Sequence, residues 1–422
     1  MRGGGAMSLR VIIHTIGSAG DVHPFVGIGT ALKERGHEVF VVTNPAYEHA
    51  VVAGGLGFRP LGTIEDFQRI KNNPDLWHPR KAFPAVVKHA VDPGHEPIYE
   101  ITRKLHVPGK TVMVASSLAF AARTASELLV IPYATVHLAP SLFASVHRQP
   151  EIHGLPFGSG APMFLKRIQW KIAGKVVDHF ALPGLNRYRA THGLAPAKNL
   201  LVDWWHSPQR VIALFPEWFA PAQADWPQQV RQTGFPLFDE KDSRPISQEL
   251  EDFLNAGDPP VVFTPGSAMS QGHHLFREAA KALRRIGKRG IFLTPFTECL
   301  PPGLDPDILA VPYAPFSRVL PRCAAIIYHG GIGTCAQALH AGIPQLVQPM
   351  AHDQFDTLSR VRDLGVGLGI MPRNFREKPL AEVLERLLSK PSYRQNAARM
   401  PEKFRPKEWM EETCGWIEGL IS

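Results

Sequence analysis

The chain has 422 residues, 44% of them hydrophobic and 20% charged, with 46 Lys and Arg against 38 Asp and Glu. That length suggests two to three domains, and the composition is globular, which excludes a disordered or fibrous protein. The net charge of +8 fits a mildly basic surface, a polyanionic small ligand such as a nucleotide diphosphate, or peripheral contact with an anionic membrane.

In chain order, Met1–Ser8 is Gly-rich without an apolar signal core and reads as a disordered leader. Arg10–Thr15 is a β-rich run, Phe25–Arg35 has helical spacing ending at Gly36, and Glu38–Thr43 is again strand-like. Thr111–Ala115 and Tyr133–Val136 are further strands, with a helix over Leu118–Leu129 between them. Helical character returns near Phe164–Arg189. Residues 236–260 are rich in Asp, Glu and Pro and read as an interdomain connection.

The alternation then restarts. Strands are expected at Val261–Thr264, Gly290–Thr294, Ile308–Val311, Ala324–Tyr328, Gln345–Gln348 and Val366–Gly369. Strands alternating with helices imply parallel sheets covered on both faces. The expected organisation is an α/β protein of two tandem Rossmann-like, doubly wound domains facing a cleft. Residues 8–235 form the first domain, 236–260 the linker and 261–405 the second. A helix over 406–422 packs back on the first.

No apolar run reaches 18 residues, so no spanning helix is expected. The cysteines, Cys299, Cys323, Cys335 and Cys414, contain no C-x-x-C pair. They read as free thiols of a reducing cytoplasm, the expected location. No Lys/Arg block is interleaved with aromatics, so a nucleic-acid groove is not indicated. No carboxylate–histidine cluster has metal-ligand spacing, and the default is chemistry without a metal or bound cofactor.

Four loops carry the chemistry, each following an apolar strand. His329-Gly330-Gly331-Ile332-Gly333-Thr334 precedes a helical pattern. Its glycines let backbone N–H groups approach an anion, and the helix N-terminus favours negative charge. His329 and Thr334 add side-chain donors. Thr264-Pro265-Gly266-Ser267 opens the same domain, where Ser267 offers a hydroxyl to a second phosphate oxygen. The loop Pro349 to Asp356 follows the strand at Gln345–Gln348, and its Asp353 and Gln354 present groups suited to sugar hydroxyls. Asp353 reads equally as a helix N-cap.

In the first domain, Gly17-Ser18-Ala19-Gly20-Asp21 is not the dinucleotide fingerprint, and the next strand ends at Asn44 rather than an acid. A nicotinamide enzyme is therefore disfavoured. Asp21 reads as a general base at the cleft or as a cap for the Phe25 helix. His14 and His137 lie near strand ends and are assigned, with Phe120 and Phe143, to acceptor contact.

With both halves read, the chain resembles the family 1 glycosyltransferases of GT-B type over nearly its whole length. The resemblance rests on His329 to Thr334, Gly342-Ile343-Pro344-Gln345 and Asp353-Gln354. Two further stretches, His14 to Val22 and His206 through Asp239, are similar to the rhamnosyltransferases of bacterial rhamnolipid synthesis and to bacterial flavonoid rhamnosyltransferases.

The resemblance implies a nucleotide sugar on the second domain and a small lipophilic acceptor, flavonoid-like or a hydroxy fatty acid, on the first. His329, Gly331, Gly333, Thr334 and Ser267 would hold the diphosphate, Asp353 and Gln354 the sugar, and Tyr313 the base. Asp21 matches the family's catalytic base. Phe316 and Gln337 replace the plant-type Gln and Glu that hold ribose, which favours a dTDP-sugar, dTDP-rhamnose, as co-substrate. Transfer would invert the anomeric carbon. The competing readings are a UDP-glucose-dependent enzyme of the same fold, a nucleotide-sugar epimerase, and an inactive glycosyltransferase-like partner subunit.

Overall fold

The computed structural model describes residues 8–78, 81–239, 245–266 and 272–421. The expected leader, but for Ser8, and Ser267 lie outside the described residues. Apolar runs too short for helices pair side by side into two wholly parallel sheets. The first contains β1 (Arg10–His14), β2 (Glu38–Thr43), β3 (Gly57–Pro60), β4 (Thr111–Ser116), β5 (Tyr133–His137), β6 (Arg210–Ala213) and β7 (Val230–Gln232), in the order β3-β2-β1-β4-β5-β6-β7. The second contains β8 (Val261–Thr264), β9 (Gly290–Leu293), β10 (Ile308–Val311), β11 (Ala325–Tyr328), β12 (Gln345–Val347) and β13 (Gly367–Gly369), in the order β10-β9-β8-β11-β12-β13. Every residue of β4, β8 and β11 is buried, as strands covered by helices on both faces require.

In each sheet the strand order reverses beside the first strand: between β1 and β4, and between β8 and β11. Such switch points open crevices at the carboxyl ends of strands. The loops singled out in the sequence follow β1, β8, β11 and β12, so three of the four flank these crevices directly.

The first helix runs Ala19–Glu34, six residues earlier than its apolar spacing indicates. Ser18 caps it in a reciprocal box with Asp21. Pro24 is tolerated because the carbonyl it cannot serve belongs to Gly20, which is exposed. Strands β3, β6 and β7 escape a sequence reading; β3 and β7 are the sheet's edges and bury no residue, so neither shows an apolar run. Within the expected linker, Ser247 caps a helix at Gln248–Asn255 whose Leu250 and Leu254 enter the core of the second sheet.

The C-terminal helix, Pro406–Glu418, places Cys414 and Ile417 in the first sheet's apolar cluster. Glu418 accepts from Arg35 Nε and from Nη2, both at 2.7 Å, and contacts His37 at 2.8 Å. A single buried cluster spans both halves, with Phe215, Phe219 and Phe235 packed with Val262, Tyr328 and Phe404. Among the described residues no helix is long and apolar enough to cross a membrane. The four cysteines are buried and none is in a disulfide among the described residues.

Candidate active site

The second half builds a Gly-rich turn at an uncapped helix N-terminus. After β11 the chain turns through Gly330, with φ +100°, to Gly331, the N-cap of the helix Ile332–His340. No side chain caps that helix, so its first N–H groups are left for a ligand. A Cβ on Gly330 would lie 2.9 Å from Val347 and 3.0 Å from Gln354, so only glycine lets this turn pack on the neighbouring helix Gln354–Asp363.

The His329 ring sits between two glycines. A Cβ on Gly266 or on Gly331 would each fall 2.7 Å from it. Its Nδ1 is buried without a partner. Burial, with a smaller push from His352, lowers its pKa to about 4. The imidazole is therefore neutral and carries one N–H for an anion, and binding of an anion would favour its protonation. Thr334 and Gly331 are half-buried and Gly333 exposed on the same first turn.

The loop after β12 is held by Gln354. Its buried Oε1 accepts from Met350 N at 2.7 Å and Ala351 N at 3.0 Å. Half of the amide expected to grip sugar thus shapes the loop. Asp353 is the N-cap residue, yet its side chain makes no capping bond. Burial, then the charge of Asp21, raises its pKa to about 7. His352, in the left-handed region at φ +57°, reaches the first half through Nε2, 3.1 Å from the Leu76 carbonyl.

In the first half, Asp21 stands at the third position of its helix. Its Oδ2 accepts from Ser18 N at 2.7 Å and Ser18 Oγ at 3.0 Å. A Cβ on Gly17, with φ +142°, would fall 2.3 Å from that oxygen, so the folded-back carboxylate requires glycine there. Both bonds fall on Oδ2, which leaves Oδ1 to take a proton. Burial raises the Asp21 pKa, the Ser18 bonds oppose this, and His352 opposes it further. The two readings of Asp21 coexist: it completes the capping box and it faces the donor half. The helices Ala19–Glu34 and Ile332–His340 touch, which brings Asp21 near the Gly-rich turn after β11.

Tyr313 and Phe316 are half-buried around the turn after β10, and Phe316 packs on the shared core. Gln337 is buried within the helix Ile332–His340.

The four residues read for acceptor contact are all buried. His14 is fully buried, 3.0 Å from Thr102 Oγ1, with its pKa lowered by burial to about 3. His137 is fully buried against His206, 3.1 Å away. Phe143 stacks on His206 and Trp226 at 5.4 and 4.5 Å. Phe120 is buried in the cluster around Trp204. All four are core residues whose contacts lie within the first half, save that Phe143 also belongs to the shared cluster.

Two neighbours of Asp21 escape the sequence reading. His352 has only its place beside Asp353 as a signal. Tyr47, whose pKa burial and then Asp21 raise, has none. Among the described residues no group of three or more His, Cys, Asp or Glu is arranged to hold a metal ion.

Two parallel-sheet Rossmann-like domains make the GT-B fold. Comparison with known proteins agrees. Residues 11–148 match the glycosyltransferase family 28 N-terminal domain. Residues 297–412 match the C-terminal domain of the erythromycin biosynthesis protein CIII-like family. Glycosyltransferase GtfC of Amycolatopsis orientalis is 30% identical over 365 residues, 86% of each chain. The O-mycaminosyltylonolide 6-deoxyallosyltransferase of Streptomyces fradiae is 29% identical over 416 residues, 97% of each chain.

Among solved structures, the glycotransferase of kitacinnamycin aligns with a TM-score of 0.74 at 17% identity, covering 99% of this chain and 100% of the other. Spinosyn rhamnosyltransferase SpnG complexed with thymidine diphosphate aligns with a TM-score of 0.60 at 16% identity, covering 94% and 96%. The chain belongs to this glycosyltransferase family, with a family 28 N-terminal domain and an EryCIII-like C-terminal domain.

Proposed function

We propose that this enzyme transfers rhamnose from dTDP-rhamnose to a hydroxyl of a small lipophilic acceptor, a flavonoid-like polyphenol or a hydroxy fatty acid, with inversion. The observation that carries the reading is the position of Asp21, across the cleft from the Gly-rich turn and from Asp353, with one carboxylate oxygen unused by its cap. Asp21 Oδ1 takes the proton of the acceptor O–H. The freed oxygen pair forms the bond to the anomeric carbon. The bond from that carbon to the phosphate oxygen breaks, and its electrons leave on dTDP. The helix N–H groups and His329 meet the charge that grows there, which is the electrostatic contribution usually largest in such reactions. A carboxylate whose pKa is raised by burial is a stronger base than one in water.

The donor rests on three supports. Phe316 and Gln337 stand where the resemblance puts partners of a ribose hydroxyl. One relative is named for transfer of a 6-deoxyhexose. One solved neighbour is a rhamnosyltransferase holding thymidine diphosphate. Sequence stretches similar to rhamnolipid and flavonoid rhamnosyltransferases point to the acceptor classes.

The test is competition of dTDP-rhamnose, dTDP-glucose and UDP-glucose on one acceptor, read by mass spectrometry. The nucleotide should account for roughly 2–13-fold, one neutral hydrogen bond of about 0.5–1.5 kcal/mol. The sugar should add more, since a pocket shaped to a methyl buries the extra hydroxyl of glucose unpaired, at about 1–3 kcal/mol. Preference for UDP-glucose would overturn the rhamnosyl assignment.

A further inference from the structure

We propose that the outward face of the helix Met163–Thr191 is a docking surface for anionic lipid, on which the enzyme lies without crossing the bilayer. Of the ten large apolar side chains that stand exposed among the described residues, six are on this helix. Five of them, Phe164, Ile168, Ile172, Val176 and Phe180, recur every fourth residue and are 42–61% exposed. Each step of four residues turns about 40° round the helix axis, so these form a ridge about 24 Å long that winds about the helix, with its middle three, Ile168, Ile172 and Val176, within about 80° of one another. Isolated exposed apolar residues need no explanation, but a continuous row does.

A second row runs beside the first. Arg167, Lys171 and Lys175 are exposed and also spaced by four. The only acid on the helix, Asp178, is half-buried and accepts from Leu200 N at 2.8 Å. The outward face is thus apolar and cationic, with no exposed carboxylate to repel phosphate.

The inner face cannot exchange with the outer one, because it is tied down. Lys166, though a lysine, is buried and donates to Ser159 O at 2.8 Å. Trp170 Nε1 donates to Ser145 O at 3.0 Å. Leu182 and Leu185 sit in the first half's core. The exposed row is therefore a permanent feature of the surface.

Charge complementarity selects the occupant. Parallel apolar and cationic rows match the boundary of a bilayer, where acyl chains lie beside anionic headgroups. A protein partner would need an acidic border along the same line, and a second copy would set these cations against one another.

The test is flotation of the full chain with vesicles of phosphatidylcholine alone and of phosphatidylcholine mixed with phosphatidylglycerol. Binding should require the anionic lipid and weaken as salt is raised. The triple substitution Ile168→Gln, Ile172→Gln and Val176→Gln should lower partitioning by about tenfold or more, since several methylene groups no longer enter the acyl boundary. Lys171→Glu with Lys175→Glu should remove the preference for phosphatidylglycerol. In both variants transfer to a water-soluble acceptor and the melting temperature should match the parent, because none of these residues lines the cleft or the core. Failure of the parent to float with anionic vesicles would overturn the proposal. So would equal flotation of the triple variant. A parent that is dimeric by light scattering, becomes monomeric in the triple variant and ignores vesicles would assign the face to a second copy instead.

Discussion

Asp353, at the head of a donor-half helix, carries a pKa raised to about 7 by its burial and by the charge of Asp21 from the opposite half. The two carboxylates are therefore coupled across the cleft, each with its pKa raised first by burial.

That pair sets a pH dependence of folding. The folded pKa of Asp353 lies above its ordinary 3.8, so the folded state holds the proton more tightly than the unfolded chain. Stability from this source is complete below about pH 4 and is lost as pH rises through about 7. Asp21 is shifted in the same direction. The melting temperature of Asp353→Asn should fall less than the parent's between pH 4 and 7. An unchanged slope would remove Asp353 from the pair.

His329 gives the second prediction. A neutral imidazole with an unpartnered buried Nδ1 is prepared for an anionic partner. Its replacement by Ala should weaken dTDP binding by about 10–150-fold, the 1.5–3 kcal/mol of a hydrogen bond to a charged group. Transfer should slow as well, because the charge met at this site grows in the transition state. Calorimetry with dTDP checks the first part. The parent should also bind dTDP more tightly as pH falls from 7 towards 5, since the anion favours the protonated ring. Equal affinity in parent and variant would mean that the ring only fills space.

Gly266→Ala tests the packing that aims this ring. The new Cβ would lie 2.7 Å from His329 at a backbone φ of +99°, where a side chain is strained. The imidazole must move, so dTDP affinity should fall towards that of His329→Ala while Asp21 is untouched. The double variant should be little worse than either single one, because both remove the same contact. Additive losses would show that Gly266 acts elsewhere.

Much of this site is visible in the sequence because its loops need unusual residues. Gly17, Gly266 and Gly330 stand where positive φ or a close neighbour excludes a Cβ, and each follows an apolar run that reads as a strand. Asp21 is visible for a related reason, as the acid of a loop between strand and helix. His14 and His137 are ambiguous in the sequence because a histidine near a strand end looks the same whether it faces a cleft or a core. Their neighbours Thr102 and His206 come from distant segments, and no local pattern announces them. His352 and Tyr47 are hidden for the same reason, since their relation to Asp21 exists only after the chain has folded. Strands β3 and β7 are lost because, as edge strands that bury no residue, they leave no apolar run to read.

The central claim is that Asp21 is the base, and Asp21→Asn examines it most directly. Asn keeps the size of the side chain and an acceptor oxygen for Ser18, so the capping box is largely retained. Basicity is lost together with the negative charge that acts on Asp353 and His352. Single-turnover transfer from a saturating dTDP-sugar should fall by about 10²–10⁴-fold, with dTDP affinity and melting temperature close to the parent's. Transfer within threefold of the parent, with dTDP binding intact, would contradict the account and leave Asp21 as a helix cap alone.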